Sequence, residues 1–156
     1  MRILNDSTNS INTASKLILN GDAVAVMAET VYGLAVDASN KSAIKNLYYL
    51  KKRPKNNPLI IHVESINMAL EFGKENEDFL ILAGTFWPGP LTIILPQKKN
   101  SSISKEATAG LKSVALRMPK SKVFLRLIKK VGKPLAAPSA NLSGYISATD
   151  SQHVQE

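Results

Sequence analysis

The 156-residue sequence has no cysteine. That excludes disulfides and thiolate metal sites, and it is compatible with a reducing compartment. Long apolar runs are also missing. No stretch approaches the roughly 20 residues of a membrane helix, and Met1 to Asn20 lacks the continuous apolar core of a signal peptide. A soluble cytoplasmic protein is the expectation. Neither G-x-x-x-x-G-K-S nor G-x-G-x-x-G occurs, so any nucleotide would be held by other means than a phosphate-binding loop or a dinucleotide fingerprint.

Acidic residues are absent from two long stretches. Between Asp37 and Glu64 the chain carries Lys41, Lys45, Lys51, Lys52, Arg53 and Lys55, and from Ala107 to Thr149 it carries eight further cations, among them Lys112, Arg117, Lys120 and Lys133. The net charge is +8. Two such segments can build one positive field that attracts the phosphates of nucleotides or nucleic acid, or they can simply form a solvated basic surface.

What is present is an alternation of short apolar runs with longer amphipathic ones, with 44% hydrophobic residues, enough for one α/β domain with a single core. The pattern predicts helices over Ile11 to Asn20, with Leu17 and Ile18 buried and Gly21 ending it, over Ser42 to Leu50, over Glu77 to Thr85, carrying Phe79, Leu80, Leu82 and Ala83, and over Ser121 to Val131. Strands are expected at Ala23 to Met27, Leu59 to Val63, Leu91 to Leu95, Val114 to Arg117 and Leu135 to Ala137. Thr149 or Asp150 is a candidate cap for one more short helix containing Val154.

Three clusters offer chemistry. Lys51-Lys52-Arg53-Pro54 places two cations of different shape in one extended turn, suited to a polyphosphate, although basic triplets before proline are also common on surfaces. Ser139 and Asn141 lie just beyond a strand, where ligands of open sheets bind, but serine and asparagine also satisfy turns. Glu29, Thr30 and Tyr32 follow a strand at a turn permitted by Gly33; Glu29 suits an amine or a ribose, or equally a structural ion pair. His62 closes an apolar run as structural histidines do, and His153 sits near the chain end, so no metal site is expected.

In order along the chain, Ala28-Glu29-Thr30-Val31-Tyr32-Gly33-Leu34, Leu50-Lys51-Lys52-Arg53-Pro54, Asn57-Pro58-Leu59-Ile60-Ile61-His62, Trp87-Pro88-Gly89-Pro90-Leu91-Thr92, Val114-Ala115-Leu116-Arg117-Met118-Pro119 and Pro138-Ser139-Ala140-Asn141-Leu142-Ser143-Gly144 resemble the hallmarks of the YrdC-like family. The resemblance runs from about Gly21 to Thr149. It implies a twisted mixed β-sheet flanked by helices around a positively charged concave cavity. The activity it implies is synthesis of threonylcarbamoyl-AMP and pyrophosphate from L-threonine, bicarbonate and ATP, with Mg2+ accompanying the triphosphate. A threonylcarbamoyl-transferase complex then modifies tRNA.

By the same resemblance, Lys51 and Arg53 are catalytic and hold the triphosphate, and Asn57, Ser113, Asn141 and Thr149 contribute to ATP binding. Thr30, His62, Arg117 and Ser139 form the threonine site. Two departures stand out: Met27-Ala28 replaces the usual Pro-Thr, and the sequence lacks the C-terminal portion of the family domain, with its substrate-binding serine and nucleotide-side arginine. Other readings are a non-catalytic module binding double-stranded RNA or tRNA, a carbamoyl-transfer module of hydrogenase maturation, which the lack of cysteine disfavours, and an inactive remnant with an uncovered sheet edge.

Overall fold

A computed structural model describes residues 7–29, 31–146 and 149. The elements in chain order are α1 (Thr8–Leu19), β1 (Val24–Met27), β2 (Tyr32–Asp37), α2 (Lys41–Leu50), β3 (Ile60–His62), α3 (Ile66–Phe72), α4 (Glu77–Phe86), β4 (Ile93–Pro96), β5 (Ser113–Arg117), α5 (Lys122–Val131) and β6 (Leu135–Ala136).

Each helix begins where a short polar side chain replaces a missing backbone partner. Ser7, Asn40, Ser65, Asn76 and Ser121 cap α1 to α5 in turn, accepting hydrogen bonds from backbone N–H groups of the first turn. Gly132, at φ 68°, ends α5 in a left-handed conformation that L side chains resist, and Lys129 and Lys130 in its last turn oppose the negative end of the helix dipole.

The strands form one mixed sheet in the order β1-β2-β6-β3-β5-β4. Among the described residues only β3 and β5 pair in parallel, with Ile60 opposite Ala115 and His62 opposite Arg117. One face packs on α2, α3 and α4 through Leu47, Ile61, Phe79 and Leu116. The other packs on α1 and α5 through Ile18, Ala35, Phe124, Ile128 and Leu135. On β5 the alternation is plain: Val114 and Leu116 are buried, whereas Ser113, Ala115 and Arg117 lie on the opposite, half-covered side. That half-covered strip beside α5 positions the site described below.

The structure corrects several sequence expectations. Tyr32 to Asp37 is a strand rather than part of a turn, and Gly33 has no positive φ. Between β1 and β2 the Ala28 N–H donates to the Val31 carbonyl at 3.0 Å. A side chain at Gly33 would make only ordinary contact, with Ala137 Cβ at 3.4 Å and the Pro138 carbonyl at 3.5 Å. Leu17, Leu80 and Leu82 are exposed, and Ile11, Ala14 and Ser15 join Ile18 on the buried face of α1. Helix α3 was not foreseen. The candidate cap Asp150, and Val154, lie outside the described residues; Thr149, the other candidate cap, is described and exposed. Among the described residues no helix is long and apolar enough to cross a membrane.

Candidate functional site

Lys51 follows α2, and Lys52 after it adopts φ 48°, so the chain bends sharply at the middle of the Lys51-Lys52-Arg53 triplet rather than running extended. The bend sends the Lys51 side chain inward, where it is 3% exposed. Its ammonium donates to the Ser139 carbonyl at 2.5 Å and to the Asn141 carbonyl. The Ser143 N–H returns a bond to the Lys51 carbonyl at 3.0 Å. Two segments about ninety positions apart in sequence are thereby fastened together. The same loop is fixed from its other side by β2, through the Ala140 N–H donating to the Tyr32 carbonyl at 2.7 Å.

Arg53 turns toward the following loop and donates to the carbonyls of Asn57 at 3.2 Å and Pro58 at 2.9 Å. The Asn57 carbonyl also accepts the Tyr48 hydroxyl at 2.8 Å. Among the described residues neither Lys51 nor Arg53 forms an ion pair; the pairs are Lys41–Glu106, Arg117–Glu29 and Lys133–Asp37. Burial, and secondly the Arg53 charge, pull the Lys51 ammonium down to about 8. Asn141 donates to the carbonyls of Leu142 and Tyr145, while its own buried side-chain oxygen has no partner.

The second group lies at the carboxyl ends of β3 and β5. His62 and Arg117 are register partners, so their side chains share a face. His62 is 5% exposed and its ring lies 4.9 Å from that of Phe124. Burial, with the Arg117 charge beside it, lowers His62 to about 4, which keeps the imidazole neutral near pH 7. Arg117 donates to Glu29 Oε2 at 2.5 Å, and the Lys120 N–H donates to Glu29 Oε1 at 2.8 Å. Burial by itself raises the Glu29 carboxyl, but the bonds from Arg117 and Lys120 outweigh it and hold the group below the usual carboxylate range. Among the described residues two buried nitrogens have no hydrogen-bond partner, His62 Nδ1 and Arg117 Nε. Unpaired buried polar atoms are costly, and their clustering on one face marks a place where a polar ligand would complete the network.

The structure thus brings Lys51, Ser139 and Asn141 into contact and sets Arg53 nearby. It pairs His62 with Arg117. Ser113 shares the half-covered face of β5 with Arg117 but stands four positions away, roughly 13 Å along the strand. Asn57 and Thr149 are exposed, and Thr30 lies outside the described residues. The Lys120 N–H was missed by sequence reasoning, as was the pairing of Glu29 with Arg117 in particular. The sequence offered only Glu29 itself as a signal, because pairing across 88 positions leaves no local trace.

Among the described residues no cluster of three or more histidine or acidic side chains is placed to hold a metal. The side-chain donors of the two groups are ammonium, guanidinium and amide groups, which suit anions and carboxylates.

Comparison with known proteins agrees with this architecture. The Sua5/YciO/YrdC family pattern, described as telomere recombination, matches residues 16–156. The chain is 46% identical to the threonylcarbamoyl-AMP synthase of Bacillus subtilis and 44% identical to that of Pyrococcus abyssi, across 95% and 94% of this chain respectively. It spans 43% of the length of each. The crystal structure of P. abyssi Sua5 complexed with L-threonine superposes with a TM-score of 0.90 at 41% identity, covering 98% of this chain and 44% of that one. With a family pattern spanning nearly all of its length and the same fold, the chain belongs to the Sua5/YciO/YrdC family.

Proposed function

We propose that the chain carries the chemistry of a threonylcarbamoyl-AMP synthase, a nucleotidyl transfer. In this reading L-threonine and bicarbonate give N-carboxythreonine. Its carbamate oxygen attacks the α-phosphorus of ATP, the bond from that phosphorus to the α,β-bridging oxygen breaks, and pyrophosphate leaves with that oxygen. The product serves threonylcarbamoyl transfer to tRNA by a downstream complex, in the cytoplasm.

One observation carries the reading: the Lys51 ammonium meets the Ser139 and Asn141 carbonyls of a distant segment, and at the carboxyl ends of β3 and β5 the buried Nδ1 of His62 and Nε of Arg117 stand unpaired among the described residues. Arg53 is the residue that would contact the phosphates and stabilise charge developing in transfer. Lys51, whose donors already engage two carbonyls, would act mainly by holding the Ser139–Asn141 loop and by adding positive charge behind it. Asn57, Ser113, Asn141 and Thr149 complete the nucleotide side. Arg117 would take the amino-acid carboxylate through paired hydrogen bonds, with Thr30, His62 and Ser139 around the rest of the molecule. Mg2+ belongs to the phosphates of ATP, since this donor set is cationic and cannot cage a hard cation. The neighbouring relatives' names support this substrate set, and the solved P. abyssi protein holds L-threonine.

Incubation of the purified chain with threonine, bicarbonate, magnesium and ATP should yield threonine-dependent pyrophosphate together with the adenylate. Absence of both, with RNA binding that falls steeply with salt, would replace this reading with that of a binding module.

A further inference from the structure

Glu29 has no role in the reading above, yet it is the most connected side chain at the amino-acid end. It sits just past β1, and its two oxygens serve different elements: Oε2 takes the Arg117 guanidinium at 2.5 Å and Oε1 takes the Lys120 N–H at 2.8 Å. A third tie lies alongside, where the Ser121 hydroxyl donates to the Met27 carbonyl at 2.7 Å. The turn between β1 and β2 is therefore stapled to the segment joining β5 to α5. Glu29 and Arg117 are each 19% exposed, so the pair is screened from bulk water but still reaches an opening.

A free arginine samples many rotamers, and a ligand that must first order it binds less tightly. Here the carboxylate fixes the guanidinium by one terminal nitrogen, while the buried Nε of Arg117 and Nδ1 of its register partner His62 remain unpaired. A doubly anchored carboxylate is badly placed to swing away when a competing carboxylate arrives. It is well placed to hold the arginine still.

We propose that Glu29 is a positioning residue of the amino-acid pocket: it orients Arg117 so that the remaining donors of the guanidinium face an incoming α-carboxylate. The inference rests on the function proposed above and extends it to a residue outside the expected substrate contacts. It also fixes a sign. If Glu29 instead competed with the substrate for Arg117, removing its charge would tighten binding.

The test is calorimetric titration of L-threonine into the full chain and into Glu29→Gln, which keeps the size and the acceptor for Lys120 but loses the charge. Threonine affinity should fall on the order of tenfold, with the KM for ATP unchanged and the melting temperature lowered by no more than a few degrees. Because Glu29 acts through Arg117, the same change made in an Arg117→Lys background should add less than about a twofold loss. Glu29→Asp, too short to serve both partners, should lie between wild type and Glu29→Gln and provides the same readout should the glutamine variant fold poorly. Wild-type affinity in Glu29→Gln, tighter binding, or full additivity with Arg117→Lys overturns the positioning role alone. A wild-type chain that binds no threonine overturns the proposed function as well.

Discussion

The two ends of the candidate site treat their cations differently. At the Lys51 end both basic side chains are satisfied by neutral backbone carbonyls, those of Ser139, Asn141, Asn57 and Pro58. At the Arg117 end a carboxylate meets the guanidinium. A carbonyl fills a hydrogen-bonding valence without cancelling charge, so the first end stays electropositive while the second is close to neutral. Burial first, and then the Arg53 charge, depress the Lys51 ammonium, and only the second of these reflects neighbouring positive charge. A unit charge about 4 Å away in partly screened surroundings is worth about 4 kcal/mol to an arriving anion. The difference therefore separates a region suited to a polyanion from one suited to a zwitterion.

The largest expected effect tests the electropositive end. Arg53→Ala should lower pyrophosphate release by about 10²- to 10³-fold, as loss of one transition-state donor does. The fold should survive, because Arg53 is only half-buried and its carbonyl partners are near solvent or also bonded by Tyr48. Near-normal turnover by the folded variant would erase the functional contrast between the two ends.

Lys51→Met separates scaffold from charge. Its ammonium bridges two carbonyls in a buried position, so losing it should cost about 1–3 kcal/mol in urea unfolding. Local loosening is the sharper readout: amide exchange at Ser143, whose N–H bonds the Lys51 carbonyl, should accelerate, while that of β5 amides should not. Unchanged exchange in the 139–143 loop would show that Lys51 does not hold it.

How much of this was legible in the sequence follows from how local each cause is. Helices α1, α2, α4 and α5 were readable because a cap and an apolar period lie within a dozen residues, as with Ser121 and the Phe124, Leu127, Ile128 and Val131 stripe of α5. Strand β2 was hidden because Gly33 reads as a turn former, whereas it lies within the strand with no positive φ. Helix α3 was missed although Ser65 offered a cap, since seven residues carry too little period to stand out. The ordered motifs located the candidate residues. They did not reveal that Lys51 faces carbonyls, or that Glu29 and Arg117 pair, because those contacts depend on a crossover order in which β6 lies between β2 and β3.

The smallest expected effect distinguishes the two ends by pH. His62 titrates near 6.5 when unfolded and near 4 in the fold, so between those values the unfolded chain holds the extra proton. Stability contributed by neutral His62 is then fully present above the upper value and is lost progressively as pH falls toward the lower one. Lys51, about 8 in the fold and 10.5 when free, is charged in both states throughout that acid window and adds no slope there. Glu29 adds its own acid sensitivity only as pH falls to its free value of 4.5 and below. Urea unfolding from about pH 7 to about pH 5 should accordingly show a loss on the order of 1 kcal/mol that His62→Leu abolishes and Lys51→Met leaves intact. A slope that survives His62→Leu would mean that the imidazole is not held neutral beside Arg117, and the chemical contrast between the strand end and the Lys51 loop would need another origin.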